Sequence, residues 1–192
     1  MGEHFFAYLA RMKYINRWGL MRNTVEENIQ EHSHMVAVLS HALAVIAREK
    51  FGSALDPGQA AIAGLYHDAS EILTGDLPTP VKYDNPAIKD AYKAVERLAA
   101  DKLLTMLPDE LRPSFAPYVR EELDEELLRV VKAADKLSAY LKCVEECKAG
   151  NREFTLAARQ TRAALEAMEL PALDYFLTHF LPSFELTLDE LS

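Results

Sequence analysis

Imidazole and carboxylate side chains occupy positions where the apolar repeat of three helical segments predicts buried residues. His32 has Met35, Val36 and Leu39 at i+3, i+4 and i+7, so its ring shares their inward face. His67-Asp68 lies in the middle of Ala61-Ile62-Ala63-Gly64-Leu65-Tyr66-His67-Asp68-Ala69. Asp135 flanks the apolar stripe of the longest segment, beside Val131 and Ser138. Burying an isolated carboxylate costs several kcal/mol unless something cationic pairs with it. Each residue alone has a plain explanation. An inward histidine is usually a hydrogen-bonded core residue, and Asp135 has Lys132 at i−3 as a partner. Together, two histidines and two aspartates from three helices form a mixed nitrogen and oxygen donor set for one divalent ion. Such a set suits Mn, Co, Fe, Ni or Zn without strongly selecting among them. Adjacent helical side chains diverge by about 100°. His67 and Asp68 therefore share an ion only if it sits between their directions, near a cleft between helices. Gly64, one turn earlier, lets another helix or a substrate come close.

The elements that must position these residues are helical almost everywhere. Phe5, Phe6, Leu9 and Met12 predict a short amphipathic helix over 3–15, interrupted by Arg17-Trp18-Gly19-Leu20. Asn28 with Glu31 resembles a capping box and opens a helix to about Lys50. Asp56-Pro57 starts another, running to about Thr74 with Gly75 as its C-cap. Asp76-Leu77-Pro78-Thr79-Pro80 cannot continue it, because two prolines remove donors and restrict their predecessors; it is a stiff loop. Further helices are expected over about 85–106, from Pro108 towards Phe115, over 124–149 and 152–168, and from Pro171 to Leu181. Leu127, Val131, Ala134, Ser138 and Leu141 make the 124–149 helix a good central element. No period-two run, internal repeat or long linker appears. The expected fold is all-α, a single domain over 1–192 built as a bundle of about seven or eight helices.

A chain of 192 residues can bury roughly 70% of its unfolded surface, so it needs no metal merely to hold together. Its 21 basic and 30 acidic residues leave a formal charge of −9. That disfavours a nucleic-acid polymer or an anionic membrane as partner, but not a small anion neutralised by a local cation. No basic leader and no run of about 20 apolar residues is present, so the expected setting is the cytoplasm, with no membrane partner. Cys143 and Cys147, four apart, suggest two small side chains on one helix face and no disulfide framework. His34 points away from His32, and His4, His41 and His179 have no partner motif; all four are expected to be structural or at the surface.

The pattern His32 … His67-Asp68 … Asp135 resembles the HD-domain phosphohydrolase superfamily. His4-Phe5-Phe6-Ala7, Ile15-Asn16-Arg17-Trp18, Glu31-His32-Ser33 and Tyr66-His67-Asp68-Ala69-Ser70-Glu71 further resemble the bacterial single-domain 5′-deoxynucleotidases. So do Leu73 to Tyr83, Tyr140-Leu141-Lys142-Cys143 and Leu181-Pro182-Ser183-Phe184, and Gly75-Asp76-Leu77-Pro78-Thr79-Pro80 is more specific than the HD pair. The likeness covers nearly the whole chain. It implies an HD-type helical bundle that hydrolyses deoxyribonucleoside 5′-monophosphates to deoxynucleoside and phosphate. It also implies one divalent ion (Co, Mn or another transition metal), a homodimer and a cytoplasmic setting.

Carried over by position, His32, His67, Asp68 and Asp135 match metal ligands, and His32, His67 and Asp135 also border the substrate. Arg17, Trp18, Asp76, Leu77, Pro78 and Thr79 match substrate contacts, with Arg17 also assisting catalysis, and Glu71 matches the acid/base residue. On a continuous helix Glu71 stands at i+4 from His67 and i+3 from Asp68, on the metal side. Its plain alternative is a solvated Glu near a helix end. Arg17 can grip phosphate with its fork, Asp76 can accept from the 3′-OH, and Trp18 can wall off the 2′ position. Their alternatives are a surface cation, a turn-forming Asp and a core anchor. Two other readings compete: an HD reaction on a triphosphate or signalling nucleotide, and a non-catalytic helical module whose metal serves stability. A structural site would need none of Glu71, Arg17 or the Asp76 loop.

Overall fold

A computed structural model describes residues 2–78 and 85–192. Among these, the elements are α1 (Phe5–Leu9), α2 (Ile29–Phe51), α3 (Pro57–Tyr66), α4 (Glu71–Thr74), α5 (Pro86–Leu104), α6 (Arg112–Val119), α7 (Glu125–Lys148), α8 (Thr155–Glu166) and α9 (Pro171–His179). Short 3-10 turns at Met12–Tyr14, Arg152–Phe154, Leu181–Glu185 and Leu188–Leu191 complete them, and the described residues form no strand. The all-α expectation holds.

Helix starts follow the local chemistry closely. Asn28 accepts from the amides of Gln30 and Glu31, while the Glu31 carboxylate accepts from Asn28 N, which is the expected capping box. Asp56 caps α3 ahead of Pro57, Asn85 caps α5 ahead of Pro86, and Asp124 caps α7. Helix α2 packs against α3, α7 and α9. Val36, Leu43, Ala60, Ala134, Leu137, Leu141 and Leu173 fill that core. A second cluster joins Phe5 to Leu103, Leu107 and Val119, with the Phe5 and Phe115 rings edge to face at 5.4 Å. Gly64 does what its position suggested: a Cβ there would stand 2.7 Å from Ala37 Cα, so only glycine lets α3 lie this close to α2.

Several expected helices are broken by local geometry. The 3–15 helix is α1 followed by a separate 3-10 turn. The Pro108 helix begins later, at Arg112, and the 152–168 helix opens with a 3-10 turn. Most important for function, the helix expected over 56–74 stops at Tyr66. Residues 67–70 form a turn in which Ala69 N–H donates to Tyr66 C=O and Glu71 N–H to Asp68 C=O, before α4 resumes. His67, Asp68 and Glu71 thus do not share one continuous helix. The tighter i→i+3 bonding re-aims each side chain relative to an α-helical ladder.

One buried carboxylate secures the segment before α2 to the central helix. Glu146 on α7 is 1% exposed and accepts from Thr24 N and Oγ1, Val25 N, Asn151 Nδ2 and Lys142 Nζ. Burial by itself would raise its pKa. The bonds from Lys142, Thr24 and Asn151 outweigh burial and hold the carboxyl below its ordinary 4.5. A group depressed in the folded state stabilises above its unfolded pKa and loses that contribution as pH falls. Glu146→Ala leaves Lys142 buried without its carboxylate, and chemical denaturation should show a loss of about 3–5 kcal/mol. The variant's stability should also fall less steeply than the wild type's below pH 4.5.

Candidate metal centre and active site

The three inward-facing groups meet at the junction of α2, the 67–70 turn and α7. His32 is fully buried. Its Nδ1 lies 3.1 Å from Ser138 Oγ, and its Nε2 lies 3.0 Å from Asp135 Oδ1 and 3.6 Å from Asp68 Oδ2. His67 Nδ1 lies 2.8 Å from Gly64 O; a carbonyl only accepts, so Nδ1 carries the proton. Its Nε2, 3.0 Å from Asp68 Oδ2, is buried and makes no aligned hydrogen bond. The His32 and His67 rings stand edge to face at 5.2 Å.

Both imidazoles thus have one nitrogen secured from behind and the other aimed into a shared space. Ligating histidines are usually oriented this way, with the rear N–H given to a carbonyl or hydroxyl. Ligand atoms of His32, His67 and Asp135 all lie within 4.8 Å of one another. Asp68, the fourth predicted ligand, stands beside both imidazole Nε2 atoms. Two nitrogens and anionic oxygens at such separations suit a divalent transition ion, and the Asp135 side chain, 44% exposed, leaves one side of the site open. Lys132 is not needed to explain Asp135, whose partner is His32.

The electrostatics show the same need for positive charge. Burial disfavours a charged His67, yet Asp68 beside it and Asp135 beyond push its pKa up to about 10. Burial likewise opposes the Asp68 charge, but His67 and His32 hold it down at about 2, and Asp135 is lowered chiefly by its bond to His32. A divalent ion would supply the same compensation that a proton supplies on the His67 imidazole.

Arg17 and Trp18 lie in the segment before α2, and Arg17 feels the charge of the site's carboxylates. Arg17 N–H donates to Glu27 C=O at 2.8 Å, and an isolated bridge pairs Asn16 with Asn28. Burial works against the Arg17 charge, but Glu27, Asp135, Asp68 and Asp76 together raise its pKa. Its guanidinium therefore sits in the field of the same carboxylates. Trp18 adopts φ +60 and packs on Phe154, with ring centroids 5.3 Å apart. Glu71 is 5% exposed in the first turn of α4, not solvated as its plain alternative had it. Gly75, with φ +75, ends α4 and releases Asp76, Leu77 and Pro78, all half-buried. Tyr92 of α5 braces this exit by donating to Gly75 O at 3.1 Å. Thr79 lies outside the described residues.

His4, His34, His41 and His179 are exposed, as their isolation suggested. Cys143 is buried and Cys147 half-buried, and both are free; burial pushes the Cys143 thiol up to about 12. Two contributors were not legible as such. Ser138 stood out only as a polar residue in the α7 stripe, and Glu27 carried no signal in a polar link.

Comparison with known proteins agrees with this geometry. Residues 4–184 match the family described as 5′-deoxynucleotidase YfbR-like. A 5′-deoxynucleotidase of Vibrio parahaemolyticus is 53% identical over 191 residues, 99% of this chain and 98% of its own. The 5′-deoxynucleotidase YfbR of Salmonella newport is 55% identical over 191 residues, 99% of this chain and 96% of its own. Among solved structures, an HD-domain phosphohydrolase from Listeria innocua superposes with a TM-score of 0.83 at 23% identity, covering 96% of this chain and 90% of that one. The cyanophage S-2L HD phosphohydrolase DatZ, bound to dA and one catalytic Zn2+ ion, gives 0.68 at 21% identity, covering 94% and 96%. These two structural likenesses establish the fold.

The donor set makes a direct prediction. Asp135→Ala removes one carboxylate ligand while the apolar core around α7 persists. Elemental analysis should find less than one-tenth of the wild-type divalent metal, and circular dichroism should retain the helical signal. Full metal content in that variant would remove Asp135 from the centre.

Proposed function

The chain belongs to the 5′-deoxynucleotidase YfbR-like family, and from that premise we propose how its own residues divide the reaction. The enzyme hydrolyses deoxyribonucleoside 5′-monophosphates to deoxynucleosides and phosphate, with a divalent metal. The observation that carries the division of labour is the convergence of His32, His67, Asp68 and Asp135, whose carboxylates act on the Arg17 charge.

Uncatalysed phosphate monoester hydrolysis is extremely slow, so electrostatic stabilisation must be large. His32, His67, Asp68 and Asp135 would hold a divalent ion, which would supply Lewis acidity towards a phosphate oxygen and lower the pKa of water. Arg17 pairs with the phosphate through its fork, neutralising charge that the carboxylates would otherwise repel. Glu71 takes the proton of the attacking water and returns it to the 5′-oxygen as the phosphorus–oxygen bond breaks. Its burial beside the 67–70 turn supports that role. Asp76 accepts from the 3′-OH, while Leu77, Pro78 and Thr79 complete the sugar side. His32, His67 and Asp135 also border the bound phosphate.

Trp18 is the wall met by the 2′ position. A pocket that fits badly around one extra hydroxyl discriminates about 10²-fold; a stronger preference requires that hydroxyl to lose its hydrogen bonds against an apolar surface. Cobalt and manganese both fit the mixed donor set, as does the zinc held by DatZ. We further read the chain as a single domain over 1–192 that works as a cytoplasmic homodimer. No helix among the described residues is long and apolar enough to cross a membrane.

Purified protein, a panel of ribo- and deoxyribonucleotides and several divalent ions test this reading. Release of inorganic phosphate from monophosphates supports it, and release of pyrophosphate or triphosphate from longer nucleotides overturns it. Glu71→Ala should keep metal and substrate affinity while kcat drops by roughly 10²–10⁴; loss of metal instead would make Glu71 a ligand. Trp18→Ala should lower the deoxy-to-ribo ratio of kcat/KM even as absolute activity falls. Asp76→Ala should weaken both sugars alike, since both carry a 3′-OH.

A further inference from the structure

A single carboxylate oxygen holds both residues read above as substrate contacts in the segment before α2. Glu27 Oε2 accepts from Arg17 Nη1 at 2.6 Å and from Trp18 Nε1 at 3.1 Å. The Arg17 and Glu27 side chains are 13% and 16% exposed, so water competes little for this contact. The guanidinium carbon also lies 5.7 Å from the Trp18 ring centroid. Trp18 sits in the left-handed region, φ +60, where a non-glycine side chain crowds its own backbone. Something must hold it there. Its carbonyl accepts from Met21 N at 2.8 Å, and on the side chain the indole N–H bond to Glu27 and the Phe154 ring also oppose relaxation. Only Nη1 of Arg17 is engaged with Glu27, which leaves other guanidinium donors for phosphate.

We propose that Glu27 is a positioning residue that sets phosphate recognition and sugar selection together, by fixing Arg17 and Trp18 through one shared oxygen. The inference rests on the reading of those two residues as substrate contacts. Among the described residues the Glu27 carboxylate bonds to Arg17 and Trp18 and to no metal ligand, so its removal acts on KM and on sugar preference before it acts on metal content. The two bonds are separable. Glu27→Gln keeps a neutral acceptor for the indole but gives up the ion pair, whereas Glu27→Ala gives up both.

Trp18 is the only tryptophan, so intrinsic fluorescence reports its placement without turnover. In Glu27→Ala, KM for a deoxynucleoside monophosphate should rise roughly 10–100-fold, the loss of a charge-assisted hydrogen bond, with metal content unchanged. The deoxy-to-ribo ratio should fall towards that of Trp18→Ala, and tryptophan emission should shift to the red. In Glu27→Gln, KM should rise while emission and the ratio stay near wild type. Circular dichroism checks folding, and the isosteric glutamine carries the test if the alanine variant unfolds. Wild-type KM, ratio and emission in both variants would overturn the inference, as would loss of metal from a folded variant. Normal kinetics in Arg17→Ala and Trp18→Ala would instead overturn the reading beneath it.

Discussion

Negative charge gathered in a half-buried space governs this structure. Asp68 and Asp135 stand beside two imidazoles, and Arg17 and Asp76 add their fields from the rim. Carboxylates removed from water this far are stable only with matching positive charge. Everything around them serves to keep the ligand atoms converging despite that cost. Ser138 secures His32 from behind, and the Gly64 carbonyl secures His67. The same glycine allows α3 to approach the α2 backbone closely enough for the two rings to meet. A metal ion placed there satisfies groups that the fold has already paid to assemble.

The break after Tyr66 is the second determinant. An unbroken α3 would carry His67, Asp68 and Glu71 along one ladder. The 67–70 turn separates the imidazole on the C-cap of α3 from the carboxylate that opens α4. A short helix then ends at Gly75, whose positive φ turns the chain into the Asp76–Pro78 segment. Helices α2 and α7 thus present His32 and Asp135, while the 67–70 turn presents His67 and Asp68 and sets where α4 carries Glu71.

The segment before α2 is anchored from two sides by acids with different work. Glu146 holds Thr24 and Val25 to α7, giving the segment its place on the bundle. Glu27 holds Arg17 and Trp18, giving its tip an orientation. Placement and orientation are therefore separate physical problems here, solved by a deeply buried carboxylate and a half-buried one.

Much of this was legible in the residues. Helix starts at Asn28, Asp56 and Asp124 follow from side chains capping their own backbone, which is local chemistry. The inward positions of His32 and of the α7 stripe follow from the 3.6-residue repeat, because core burial is what that repeat records. Gly64 likewise carries its meaning in its own backbone limits, whereas the expected loop over 76–80 runs into Thr79 and Pro80, which lie outside the described residues. What the tertiary structure decided is which distant groups meet. The Ser138 bond to His32, the Glu146 anchor and the Glu27 clamp each join residues through contacts that no local propensity encodes. Hydrogen bonds across more than a hundred positions, such as His32 to Ser138, form only once hydrophobic packing has brought their helices together. Local sequence therefore specified the helices and the inward faces, and packing specified the partners.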